Sequence, residues 1–69
     1  MKIVDMNGKE REALSLKIVS HQIPDAIGGG IAVVVQYVEA QVQGKHRKGT
    51  WIEWYPLVEF QINNPKIKL

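Results

Sequence analysis

The chain has 69 residues, nine of them Lys or Arg against seven Asp or Glu, a net charge of +2 that is too slight to demand a polyanionic partner. That length makes one domain, residues 1–69, which buries only about 60% of the surface its unfolded chain exposes. With no cysteine, disulfides, zinc ribbons and thiol catalysis are excluded, and His21 and His46 stand too far apart in sequence to suggest a metal cage.

Met1 to Met6 begins as a short strand, with Ile3 and Val4 on opposite faces. Asn7-Gly8 is the dipeptide most favoured in a two-residue type I′ hairpin, because both residues tolerate positive φ. From about Lys9 to Gln22 a second strand is predicted. Its charged start projects past the core, and Leu14, Leu16 and Ile18 then repeat with a period of two. Ile23 to Gly30 is a loop, since Pro24 cannot donate to a ladder and three successive glycines favour irregular backbone. Those glycines would need a helix after them to cradle a phosphate, and a strand follows instead.

The strongest β signal is Ile31 to Gln43. Both faces are apolar from Ile31 to Val35, which predicts a middle position covered on two sides. Val38, Ala40 and Val42 then alternate with Glu39, Gln41 and Gln43, so the strand is expected to run from a buried centre to a wet end. A bulge near Gln36-Tyr37 would restore the alternation that Gln36 breaks. Gly44 to Gly49 forms a basic turn carrying Lys45, Arg47 and Lys48. Thr50 to Tyr55 returns as a strand, with Ile52 and Trp54 assigned to the core and Trp51 and Tyr55 to the outward face. Pro56 ends it. Leu57 to Ile62 reads either as a strand or as a 3₁₀ turn, Asn63-Asn64-Pro65 as a turn, and Lys66 to Leu69 as a last edge strand guarded by lysines.

These elements predict an all-β fold, a small and strongly bent antiparallel sheet of five or six strands. The order of long paired strands, a tryptophan-bearing strand, a proline-led turn and a short final strand is similar to an SH3-like barrel. That likeness is architectural and implies no function.

Catalysis is not expected. Ser15, Ser20 and Thr50 lie in strand patterns without a nucleophile elbow, and Ser20 and His21 point to opposite faces. Glu10 and Glu12 sit among Lys9 and Arg11 as a solvated edge. No cofactor is implied. The chemistry that the pattern does offer is binding. Lys45, Arg47 and Lys48 on a protruding turn, with Trp51 and Tyr55 outward beside it, would combine phosphate attraction with stacking surface for nucleic acid. The alternative is a protein-interaction or self-assembly (homo-oligomeric) domain that hides the aromatic strand 50–55 and the second face of Ile31 to Val35. No apolar run approaches the ~18 residues a membrane span needs, and Asp5 breaks any signal-peptide core, so a soluble cytoplasmic protein is the expectation.

Overall fold

In the computed structural model, residues 1–24, 27–46 and 48–69 are described, Ile31 and Ala32 by their backbone alone. The fold is all-β. Four strands, β1 (Lys2–Val4), β2 (Glu10–Pro24), β3 (Ile31–Gln43) and β4 (Thr50–Pro56), form one antiparallel meander in chain order. The sheet curls into a half-barrel and is followed by one helix, α1 (Leu57–Asn63). The five or six strands expected are therefore four among the described residues. Lys66 to Leu69 forms no strand, and Leu57 to Ile62 is α-helical.

The first turn differs from the expected type I′ geometry. Gly8 has φ of 79°, while Asn7 does not take positive φ, and Asp5 and Lys9 close the turn through Asp5 N–H to Lys9 O at 2.8 Å. This is a three-residue hairpin loop with a left-handed glycine, the next commonest solution after the two-residue turns. Asp5 selects it. Its buried Oδ1 accepts the Asn7 and Lys9 N–H groups at 2.9 Å each, and its Oδ2 accepts Arg11 Nε at 3.0 Å. An aspartate that hydrogen-bonds the backbone two and four residues on holds such a turn closed.

No bulge lies near Gln36-Tyr37: the register shifts once in β2, and once at the start of β3, where Ile31 and Val33 pair with the adjacent Pro24 and Ile23. Ala13 pairs with Val42 and Ser15 with Gln41, leaving Leu14 unpaired and half exposed. The extra residue resets the phase of β2, so that Ala13 before it and Leu16 after it face the same side. A bulge also increases local twist, which is how a four-stranded sheet bends into a half-barrel.

The inner face carries Ile3, Ala13, Val38, Ala40, Val42 and Tyr55, covered by Phe60 of α1, with Leu16, Trp51, Leu57 and Ile67 packed at the margin. Pro56 and the i, i+3 pair of Leu57 and Phe60 turn the chain across this face. Asn64 then fastens the far side. Its Oδ1 accepts Val4 N–H at 2.7 Å and its Nδ2 donates to Val4 O at 2.9 Å and to Phe60 O at 3.0 Å. A side-chain amide thus does for the outer edge of β1 what a neighbouring strand would do.

Two assignments of facing are inverted relative to expectation. In β4, Trp51, Glu53 and Tyr55 face inward opposite Val42, Ala40 and Val38, whereas Ile52 and Trp54 face outward, Trp54 with 53% of its surface exposed. In β3 the buried stretch is the alternating one, Val38 to Val42, and the fully apolar stretch is open: Val33 and Val34 are about half exposed. The reason is length. β4 covers β3 only from Tyr37 to Gln43, and β1 covers β2 only from Glu10 to Glu12. Beyond Val19 and Tyr37 the long β2–β3 hairpin continues as a two-stranded arm, and the molecule measures 46 × 27 × 19 Å.

Candidate nucleic-acid interface

The meander brings the turn after β1 and the turn after β3 to the same end of the sheet, because β2 begins where β3 ends, Glu12 opposite Gln43. The second turn closes through Gly44 N–H to Gly49 O at 3.2 Å, and Gly49 holds φ of 105°. Between the two turns lies a hollow of about 570 Å³ lined by Lys2, Lys9, Glu10, Glu12, Lys45 and His46, among others.

The charges at this end separate into paired and unpaired groups. Asp5 pairs with Arg11 at 3.0 Å, Glu10 with Lys2 at 3.9 Å, and Glu12 with the Met1 ammonium at 3.1 Å. Burial alone would raise the Asp5 carboxyl, but the Lys9 N–H, Arg11 and the Asn7 N–H together hold it below the ordinary carboxylate range. Lys9, Lys45 and Lys48 are exposed, and among the described residues none of them has an ion-pair partner. Each carboxylate at this end therefore has its own cation, and three lysines remain over.

Of the residues expected to make this site, Lys45 and Lys48 are on the turn and exposed, and Arg47 lies outside the described residues. The aromatic part is corrected. Tyr55 is only 4% exposed and stacks on Phe60 at 5.8 Å between ring centroids, so no base reaches its face. Trp51 is half-buried against the core. Both are turned inward by Glu53, whose carboxylate accepts Trp51 Nε1 at 3.1 Å and the Tyr55 hydroxyl. Burial, then the bond to Glu53, pushes the Tyr55 phenol well above its ordinary range.

Two residues that the sequence reading assigned elsewhere, Lys9 to a solvated edge and Trp54 to the core, stand beside or near the turn instead. Lys9 is brought beside the basic turn by the first hairpin. Trp54 lies on the outer face in a cross-strand row, Lys17 opposite Glu39 opposite Trp54. Glu39 joins the row by accepting Lys17 Nζ at 3.0 Å and Trp54 Nε1 at 3.1 Å, contacts that, Lys17 first, hold its carboxyl low. Trp54 stands four residues along the sheet from the row of Gln43, roughly 14 Å from the lysine-bearing end. The signal for Trp54 was present in Glu53: a carboxylate that two inward aromatic donors can satisfy does not need to face water.

Elsewhere, Ser20 and His21 do face opposite ways, and His21 packs on Tyr37 at 5.2 Å between ring centroids. Among the described residues no three His, Asp or Glu side chains gather as a metal site requires. No helix among them is long and apolar enough to cross a membrane. Comparisons with models of known protein families, with curated proteins and with solved structures gave no match.

Proposed function

We propose that this protein is a non-enzymatic binding module that holds a nucleic-acid strand across the two-turn end of its half-barrel. The single observation that carries the reading is the set of three exposed lysines, Lys9, Lys45 and Lys48, left over after every carboxylate at that end is paired. Phosphates attract such uncompensated charge and release counterions on contact, so three lysines suffice for weak, sequence-independent binding. Trp54 supports the reading further, because an exposed indole about 14 Å away lies within a few nucleotides' reach and offers a stacking face to any base. We place the fold near SH3-like barrels, with α1 and Asn64 standing where a closing strand would be.

Fluorescence anisotropy with short labelled single strands and duplexes, begun at low ionic strength, tests the proposal. Three phosphate contacts give a slope of log K against log salt of about −2.7 on a duplex and about −2 on a single strand. Lys9→Ala should flatten the duplex slope by roughly 0.9 whatever the base sequence. Trp54→Ala should cost on the order of 1–3 kcal/mol on single strands and leave the slope unchanged. Absence of binding at low salt, or binding that survives the triple Lys9/Lys45/Lys48→Ala variant, would overturn the reading.

A further inference from the structure

We infer that the free edge of β3, from Ile31 to Gln36, pairs with the same edge of a second copy of this chain. The inference stands apart from the nucleic-acid reading, since it concerns the opposite end of the molecule. β4 pairs with β3 only from Tyr37 onward. From Ile31 to Gln36 the strand is therefore bonded to β2 on one side and, among the described residues, to nothing on the other. Such an edge offers a row of N–H and C=O groups that another strand satisfies better than any side chain.

Three observations make that strand a copy of this one. The first is charge. No charged residue occurs from Ile31 to Val38, so two copies meet without repulsion, whereas the open edge of β2 carries Lys17. Soluble proteins ordinarily guard a long exposed edge with lysine, proline or a bulge. This edge has no lysine or proline. Its one irregularity, where Val33 and Ile31 pair with the adjacent Ile23 and Pro24, lies at the start of the strand and leaves Val33 to Gln36 regular. The second is strand number. A two-stranded hairpin is marginal alone and three or more strands with an apolar face are needed for independent stability; two arms joined edge to edge make four. Their outward valines, Val33 and Val34, are then partly covered.

The third is closure. Antiparallel pairing of a strand with itself has a two-fold axis perpendicular to the sheet, which passes through a residue that faces its own copy, here Val34. Each β3 then lies in the space beyond the end of the other copy's β4, where Pro56 pairs with Tyr37. Five paired residues per copy, Ala32 to Gln36, span roughly 17 Å, after which β4 blocks further pairing. The contact is isologous and ends with two copies. At that length it falls in the small class of interfaces, below about 1,200 Å² in total, and dissociates on dilution.

Sedimentation equilibrium over a wide concentration range, combined with cysteine cross-linking, tests the inference. The intact protein should reach a dimer and no higher species. Val34→Lys places a charge beside its own copy at the axis and removes an apolar contact from each chain, and should raise the dissociation constant about ten-fold or more. Gln22→Lys puts the same charge on the same cross-strand row but on β2, and should leave the dimer in place. The chain has no cysteine, so Val34→Cys should form a disulfide-linked dimer on mild oxidation, and Ile52→Cys on β4 should not. A strict monomer at millimolar concentration, growth beyond the dimer, a Val34→Lys variant that dimerises as before, or cross-linking only through Ile52→Cys would each overturn it.

Discussion

At the scale of single residues, the molecule depends on polar side chains that the sequence marks as surface. Asn64 is the clearest case: 6% exposed, it bonds both backbone groups of Val4. Asn64→Ala leaves that N–H and C=O without partners and should cost about 2 kcal/mol or more, measured by denaturant unfolding, out of a net stability of roughly 3–5 kcal/mol for a domain of this size. Asp5 gives a pH-dependent test. Its carboxyl sits below the ordinary range in the folded chain, so its contribution is complete above the unfolded value near pH 4 and is lost as pH falls through the folded one. Asp5→Asn should be less stable than the parent at pH 7, and the gap should narrow as the pH is lowered. A gap that is constant with pH would mean the turn needs only the shape of Asp5, not its charge. Glu53 shows why residue-level reading of the sequence failed in β4. Alternation divides Trp51, Glu53 and Tyr55 from Ile52 and Trp54 correctly but does not say which set is inside. A charge ordinarily decides for the outside, and here two aromatic donors cancel that preference. Trp54→Ala should therefore change stability by less than about 1 kcal/mol while Trp51→Ala costs clearly more, which denaturation of the two variants will show.

At the scale of elements, the strands were legible because β-branched runs and turn residues mark them, and β2, β3 and β4 begin and end close to where those signals lie. The helix was less so. Val58, Phe60 and Ile62 alternate like a strand, yet Val58 and Ile62 are exposed and only Leu57 and Phe60, three apart, reach the core. The bulge was misplaced for a related reason. Gln36 looked like a break in a buried strand, but it lies in the arm where no phase has to be kept, whereas Leu14 hides its own irregularity by being apolar. The register states what Leu14 does: Ala13 and Ser15 pair with Val42 and Gln41, which are adjacent. Deleting Leu14 would thus keep every cross-strand pair and remove only the added twist, whereas deleting Leu16 turns Ser15 into the core. The Leu14 deletion should fold cooperatively with reduced stability, and the Leu16 deletion should not fold, as judged by circular dichroism melts. Equal loss in both would mean that the bend at Leu14 is itself required for folding.

At the scale of the whole molecule, the chain has an end that is charged and an end that is apolar, joined by a core that belongs to neither. Its radius of gyration, 14.3 Å, exceeds the roughly 11 Å of a compact domain of this length, and the difference is the arm. The core residues lie on the curled part of the sheet, on α1 and at the C-terminal tail; among the described residues none of the buried ones falls between Leu16 and Tyr37. The arm should therefore be removable. Ser20 and Gln36 are opposite one another, so joining them through Asn-Gly in place of His21 to Val35 asks for one tight turn of a kind that hairpins favour. The shortened protein should unfold cooperatively within about 1 kcal/mol of the parent, since none of the described side chains it removes is buried. X-ray scattering should give a radius near 10–11 Å. Dimerisation through β3 should be abolished, because the free edge is gone. The salt slope on a duplex should stay near that of the parent, because Lys9, Lys45 and Lys48 are untouched, although loss of Asp25 adds one positive charge overall. The outcomes separate the two proposals. Loss of nucleic-acid binding with the arm would move the binding surface away from the two-turn end, and persistence of the dimer without the arm would move the interface away from β3.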